Sequence, residues 1–231
     1  HLFTLCQSLA AYRHYQQLLS DCDREVHTLL ATFASEIDPA AHPLPPATTT
    51  HRKPQGNAPR FDLRTELYRI LGSDLTQVAG LNTATTYTLF AELGVDLGKF
   101  PSAKHFASWL GLCPDNRVSG GKVLSVHTRH VKHRVAQALR LAAQSLYRSH
   151  SMLGAYFRRM RAKLGAPKAI TATAHKLARI IYHLLTTREP YAESQLAQHE
   201  ALYRKRLKSR LHAQARALGF QLVPVTGQSV S

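Results

Sequence analysis

Between Asp115 and Glu189 the sequence has no acidic residue. Clustered carboxylates that hold divalent ions for nuclease chemistry cannot be drawn from such a stretch. Elsewhere Asp and Glu total fourteen in 231 residues. Asp74, Asp96 and Asp115 fall at expected helix ends or in loops. By itself the chain is therefore not expected to be a two-metal nuclease. Cysteine is also scarce: Cys6, Cys22 and Cys113 are scattered, with no C-x-x-C pair. No disulfide framework can be read, and a reducing, cytosolic setting fits best. No apolar run approaches the length of a membrane span, no signal peptide is visible, and no internal repeat is evident. The first residue is His1 rather than Met, so the N-terminus of the gene product is expected to be missing.

What is present is positive charge. Thirty Lys and Arg give a formal charge of +16, and 44% hydrophobic residues supply material for a core. The acid-free stretch alone carries fifteen Lys and Arg and six His. A block of this kind repels itself unless a polyanion faces it, which favours nucleic acid first and an acidic membrane second.

The apolar periodicity predicts a mainly α protein. Residues 2–37 read as one long helix. Leu5, Leu9, Tyr12, Gln16, Leu19, Asp23, Val26, Leu30, Phe33 and Ile37 recur at alternating spacings of three and four. That is either a coiled-coil seam with polar Gln16 and Asp23 inside it, or an amphipathic helix packed on its own domain. Pro39 ends it, and six prolines between Asp38 and Pro59 mark a linker. A compact domain begins near Phe61.

In that domain the expected helices run over 66–71, 83–93 and 102–109, with Asp74 and Ser102 as caps. Gly80 sits in a helix–turn–helix layout similar to a helix–hairpin–helix element, where turn amides meet phosphate, although any packed helix pair joined by glycine looks alike. Further helices are expected over 129–148, from 152 to the G-A-P-K break, from Pro167 to 185, and over 192–218. On the 129–148 helix, His133, Gln137, Arg140, Gln144 and Arg148 form a polar stripe. The last helix carries Arg204, Lys205, Arg206, Lys208 and Arg210 and suits contact with a partner or a nucleic-acid backbone.

Among candidate chemical groups, His127, His130 and His133 are spaced by three. On a helix they cannot share one face, so a zinc site is not expected. They add donors, and below neutral pH some charge, to a phosphate surface. The stretch R-V-S-G-G-K-V-L-S-V reads as a short hairpin or an irregular loop. Two glycines after Ser119 permit a close approach, and the amides of Gly120 and Gly121 could hold a phosphate oxygen. Arg117 and Lys122 flank the serine as charge stabilisers, with Arg129, Lys132 and Arg134 beyond. Ser119 is thus either a turn residue or a nucleophile that lacks a local base.

Three stretches carry a resemblance: F-A-S-W-L-G-L-C-P-D-N-R-V-S-G-G-K-V-L-S, A-L-R-L-A-A-Q-S-L, and G-A-Y-F-R-R-M-R-A-K-L-G-A-P-K-A-I-T-A-T-A-H-K-L-A-R-I-I-Y. With Tyr12–Gln17 and G-N-A-P-R-F-D-L-R-T-E-L-Y-R, they resemble the transposases of the insertion sequence one-hundred-and-ten family, bridge-RNA-guided DNA recombinases. The resemblance implies a coiled-coil arm, at 1–38, and a transposase domain, at 61–190; with the residue pattern the expected organisation adds a proline-rich linker at 39–60, a basic amphipathic helix at 191–219 and a tail at 220–231. It implies that Ser119 is the nucleophile of a transient covalent DNA link, and that the partners are donor DNA, target DNA and a structured guide RNA. It implies homodimers or homotetramers, no membrane, and a bacterial cytoplasmic, nucleoid-associated location. It implies a composite site in which Mg²⁺ is held by acids of an N-terminal RuvC-like domain. That domain is absent from these residues, so this chain alone is expected to bind nucleic acid without cleaving it. The competing expectation is a non-catalytic DNA- and RNA-binding and oligomerisation module.

Overall fold

A computed structural model describes residues 1–46, 58–129 and 131–221. The chain divides into two compact units, His1–Tyr191 and Ala192–Ser231. The first holds α1 (Leu2–Ala31), α2 (Leu63–Leu71), α3 (Thr83–Leu93), α4 (Ala103–Trp109), a hairpin of β1 (Pro114–Ser119) and β2 (Lys122–Thr128), α5 (Arg134–Ser145), α6 (Met152–Leu164) and α7 (Ala166–Thr187). The second holds α8 (Ser194–Ala217). The protein is mainly α, as its periodicity predicts.

α7 is the central helix. It packs against α4, α5 and α6, while α5 reaches α3 on its other side. Ala169, Ala174 and Ala178 are buried on α7 beside Leu177, Ile181 and Leu184, and small residues of this kind let neighbouring helices approach closely. Phe106 of α4 is fully buried, 5.2 Å from the Phe100 ring and 5.9 Å from Tyr182 of α7. The Tyr182 hydroxyl donates to the Phe100 carbonyl at 2.7 Å, so the phenol enters the core with its polar end satisfied. Asp62, Asn82, Ser102 and Ser151 cap α2, α3, α4 and α6 through their side chains, and Pro167 lies in the first turn of α7.

α1 is shorter than its heptads predict, ending at Ala31 rather than running to residue 37. The cause is Arg69 of α2. Its guanidinium donates to the carbonyls of Leu30 and Phe33 and to Ser35 Oγ, and its own carbonyl accepts from Glu36 and Ile37. Those bonds satisfy backbone groups that a longer helix would have used for itself. Phe33 then meets Phe90 edge-on at 5.2 Å. The polar seam residues are also used within the chain: Arg60 donates to Asp23 through its backbone and to Gln16 through its side chain. The lower half of the seam therefore packs on its own unit, with Leu30 buried, while Leu5, Leu9 and Tyr12 stay exposed.

The proline-rich stretch is docked where it begins. Pro45 and Pro46 accept hydrogen bonds from Arg64 and Gln77. The rest of it, 47–57, lies outside the described residues. Arg64 also pairs with Asp74. Burial pushes the Asp74 carboxyl up, but hydrogen bonds from Arg64, Thr76 and Gln77 outweigh it and hold the group below the usual carboxylate range. A depressed carboxylate adds stability above its unfolded pKa and loses it as pH falls through the folded one. Asp74→Asn is therefore expected to cost about 2 kcal/mol at neutral pH. The gap from wild type should close below about pH 4, as urea melts at both pH values would show.

Gly80 follows a single 3₁₀ turn, Leu75–Gln77, rather than an α-helix. A side chain there would meet the Ala142 carbonyl of α5 at 2.9 Å. The turn presses against protein, so the helix–hairpin–helix reading gives way to the packing one.

In the second unit α8 ends in a Schellman motif: Phe220 N–H donates to Ala215 and Gly219 N–H to Arg216, with Gly219 at φ 77°. Lys205, Lys208 and Arg210 are exposed. The side chains of Arg204 and Arg206, and residues 222–231 of the tail, lie outside the described residues.

Candidate active site and nucleic-acid interface

The stretch around Ser119 is a regular antiparallel hairpin. Ser119 and Lys122 are directly opposite, joined by Gly120 at φ 56° and Gly121 at φ 75°. Two successive positive φ angles are what a two-residue type I′ turn demands, and only glycine adopts them without strain. The register then slips. Val118 pairs with Val123 and Arg117 with Ser125, leaving Leu124 as the extra residue of a bulge. Leu124 is 69% exposed, and Asp115, Asn116, Ser119, Lys122 and His127 are exposed as well.

The other end of the hairpin is anchored. Leu110 and Leu112, just before β1, are buried. Gly111, at φ 64°, lies so close to the strand exit that a side chain would meet Val131 at 2.8 Å and the Arg129 carbonyl at 3.1 Å. Ser119 thus stands at the tip of a ribbon whose anchoring contacts, among the described residues, lie at its base. Five residues separate tip from base, about 17 Å at the strand rise.

That distance divides the expected site residues into two groups. Ser119, Gly120, Gly121 and Lys122 form the tip. Arg117 lies two residues back along β1, and its side chain is outside the described residues. Arg129, Lys132 and Arg134 gather at the base instead. Arg129 is exposed. It lies near Cys113, as does Arg179: burial pushes the Cys113 thiol up, and the two guanidinium charges oppose that rise. Lys132 is exposed and lines a cleft with His133, Gln137 and Arg140. Arg134 opens α5 and pairs with Glu92 at 3.1 Å, but its side chain is 81% exposed, so the pair binds it weakly.

α5 begins at Arg134, not at 129, and this changes the histidines. His127 lies on β2, and His130 is outside the described residues. His133 is the N-cap: its Nδ1 accepts from the Val135 N–H at 3.2 Å. Burial lowers its pKa, Glu92 raises it and Lys99 lowers it further, with a net fall. His133 is therefore a neutral acceptor rather than a source of charge. Protonation would abolish the cap, so its contribution is present above the unfolded pKa and lost as pH falls. His133→Ala is expected to cost about 1 kcal/mol near pH 7 and less near pH 5, with His133→Asn restoring most of it in denaturant melts. Trp109 and Lys99 complete this corner, although their spacing in the sequence does not single them out. Trp109 is 41% exposed, meets the His133 ring edge-on at 4.2 Å, and has the Lys99 ammonium 5.8 Å from its centroid.

Among the described residues Ser119 has no side-chain hydrogen bond. No three or more His, Cys, Asp or Glu among them gather to hold a metal. The described donor set therefore does not fit a divalent ion. No described helix is long and apolar enough to cross a membrane.

Residues 72–158 match the family described as Transposase IS116/IS110/IS902. That segment runs from the end of α2 into α6 and contains the whole hairpin. A curated protein that carries a transposase name, y4pF/y4sB of Sinorhizobium fredii (strain NBRC 101917 / NGR234), is 34% identical over 106 residues. The alignment covers 42% of this chain and 26% of that protein, so the chain spans about a quarter of the length of the relative it matches.

Proposed function

We propose that this chain is the serine-bearing part of an RNA-guided DNA transposase, in which Ser119 makes a transient covalent bond to DNA. The observation that carries the reading is the hairpin tip: an exposed hydroxyl, two glycine amides and a lysine at the end of a ribbon about 17 Å long. An isolated two-stranded hairpin is marginally stable in water. A ribbon of this kind suits insertion into a groove or against another protein surface.

The chemistry follows from the atoms at the tip. Ser119 Oγ attacks a backbone phosphorus, the new Oγ–P bond forms, and the P–O bond to one sugar breaks. The hydroxyl proton leaves to a base, and the departing sugar oxygen takes up a proton. One ester is exchanged for another, so a sugar hydroxyl can reverse the step and reseal the strand. Lys122 and the Gly120 and Gly121 amides face the charge that grows on the non-bridging oxygens. Neither base nor metal ligand is found among the described residues at the tip. In this reading both come from acids outside this chain, on a RuvC-like domain of a neighbouring subunit in a homodimer or homotetramer. Guide RNA, donor DNA and target DNA are the partners, and the cations of the hairpin base and α5 hold their backbones.

The test is an adduct assay. The full-length protein containing this chain is incubated with guide RNA, Mg²⁺ and an end-labelled donor DNA, then denatured and run on a gel. Label that migrates with wild-type protein and not with Ser119→Ala supports the nucleophile. The 231-residue chain alone is expected to shift DNA in a native gel and to leave it uncut.

A further inference from the structure

The polar stripe runs from His133, the N-cap of α5, to Arg148 in the single 3₁₀ turn (Leu146–Arg148) that follows the helix, and the structure sets a cleft at each of its ends. The first lies at the hairpin base, between Lys132 and Arg140. The second lies beyond the helix C-terminus and is formed with α6 and α7. It is lined by Gln144, Tyr147, Arg148, Phe157, Arg161 and Ile170, with a volume of about 360 Å³. That is at the small end for a ligand site and suits one planar group.

The second cleft has a defined surface. Tyr147 is 46% exposed. Arg161 of α6 places its guanidinium 4.4 Å from the ring centroid, and Phe157 meets the ring edge-on at 6.3 Å. The Tyr147 carbonyl accepts from Arg158 at 3.1 Å, so backbone and ring are both held. A guanidinium stacked on tyrosine forms a flat, cationic face of the kind on which a base of any sequence stacks. Gln144 offers an amide donor and acceptor at the rim. Among the described residues Arg140, Gln144 and Arg148 make no side-chain hydrogen bond or ion pair. No carboxylate lies in the sequence between residues 115 and 189.

From His133 to Arg148 the stripe is about 22 Å long at the helical rise. At roughly 3.4 Å per phosphate this is room for several nucleotides of one strand. A phosphate alone needs only the cations, and an acidic peptide has no use for the flat face. A nucleotide uses both. Bases inside a duplex are already stacked on each other, which leaves an unpaired one.

We propose that the Tyr147–Arg161 cleft holds an unpaired nucleobase of a single strand whose backbone runs along Arg148 and Arg140. The inference rests on the reading above that the ligand is nucleic acid. It assigns a task to a face at the end of α5 opposite the hairpin.

The test is reversible binding by the 231-residue chain, read by fluorescence anisotropy. The probes are labelled oligothymidylate and oligouridylate of about 20 nucleotides, longer than one stacking site needs, and a blunt DNA duplex of similar length. Tyr147→Ala is expected to weaken both single strands about tenfold and the duplex less than about twofold, with the salt slope unchanged. Tyr147→Phe, which keeps the ring, is expected to bind like wild type. Arg148→Ala should lower the single-strand salt slope by about 0.7, the loss of one phosphate contact. A loss confined to one of the two single strands also supports the cleft and says which strand it holds. Equal weakening of duplex and single strand, no weakening, or a Phe variant as poor as Ala overturns the proposal. The Ser119 reading is measured by a covalent product and this one by affinity, so either can fail while the other stands.

Discussion

Ser119→Ala is expected to reduce the covalent protein–DNA product of the full-length protein by about a thousandfold or more, the scale of losing a nucleophile. The alternative, a phosphate-holding turn, predicts a far smaller effect. One hydroxyl on an exposed tip contributes a single neutral hydrogen bond, about 1 kcal/mol or fivefold in affinity. The two readings are therefore separated by more than two orders of magnitude. The substitution is structurally mild: Ser119 is exposed and has no side-chain hydrogen bond among the described residues, and the turn is set by the two glycines that follow it. A lost adduct with unchanged DNA binding would assign the attack to Ser119. An adduct that survives would move the nucleophile elsewhere, and the tip would return to holding phosphate. Lys122→Ala is expected to slow adduct formation by about a hundredfold without abolishing it, because it removes charge stabilisation and leaves the nucleophile.

The largest stability effect is expected at Phe106, far from any chemistry. Phe106→Ala should lower the unfolding free energy by about 3–5 kcal/mol. The ring is fully buried and lies against Phe100 and Tyr182, so it joins α4 to α7. Tyr182 is held there by its bond to the Phe100 carbonyl, which limits how far the site can collapse around a cavity. At an m-value near 2 kcal/mol/M the urea midpoint should fall by about 2 M with little change in slope. The layer also carries the hairpin, since Leu110 and Leu112 lead from α4 directly into β1. The variant should thus lose adduct formation at a lower temperature than wild type while keeping it when cold. A loss below about 1 kcal/mol would mean that α4 does not pack on α7 through this ring.

Much of the architecture is legible in the sequence because it depends on neighbours along the chain. The helix 83–93 is bounded by Asn82 and Gly94, and α4 by Ser102 and Gly111, because caps and left-handed glycines act over one turn. Gly120-Gly121 between β-branched residues marks a hairpin or loop for the same local reason. The long acid-free stretch is visible by inspection, and it points to a polyanion before any coordinate is known.

What the sequence could not place are contacts between residues far apart in it. The heptads of α1 continue to Ile37, but the helix stops at Ala31 because Arg69, more than thirty residues on, takes the Leu30 carbonyl of its last turn and the Phe33 carbonyl just beyond it. Gln16 and Asp23 are the polar residues of a coiled-coil seam until Arg60 returns to bind them. His133 sits three residues from His130 in the sequence, yet it is a neutral cap at a helix start that the periodicity set five residues too early. Arg129, Lys132 and Arg134 follow Ser119 closely in the chain, but the rise of the intervening strand carries them to the far end of the ribbon. Tyr147 and Arg161 belong to different elements, and only the packing of α6 on the 3₁₀ turn that follows α5 brings them together. Local propensity is written in adjacent residues, whereas a site assembled across elements is settled by which side chains win the same backbone groups and the same buried space.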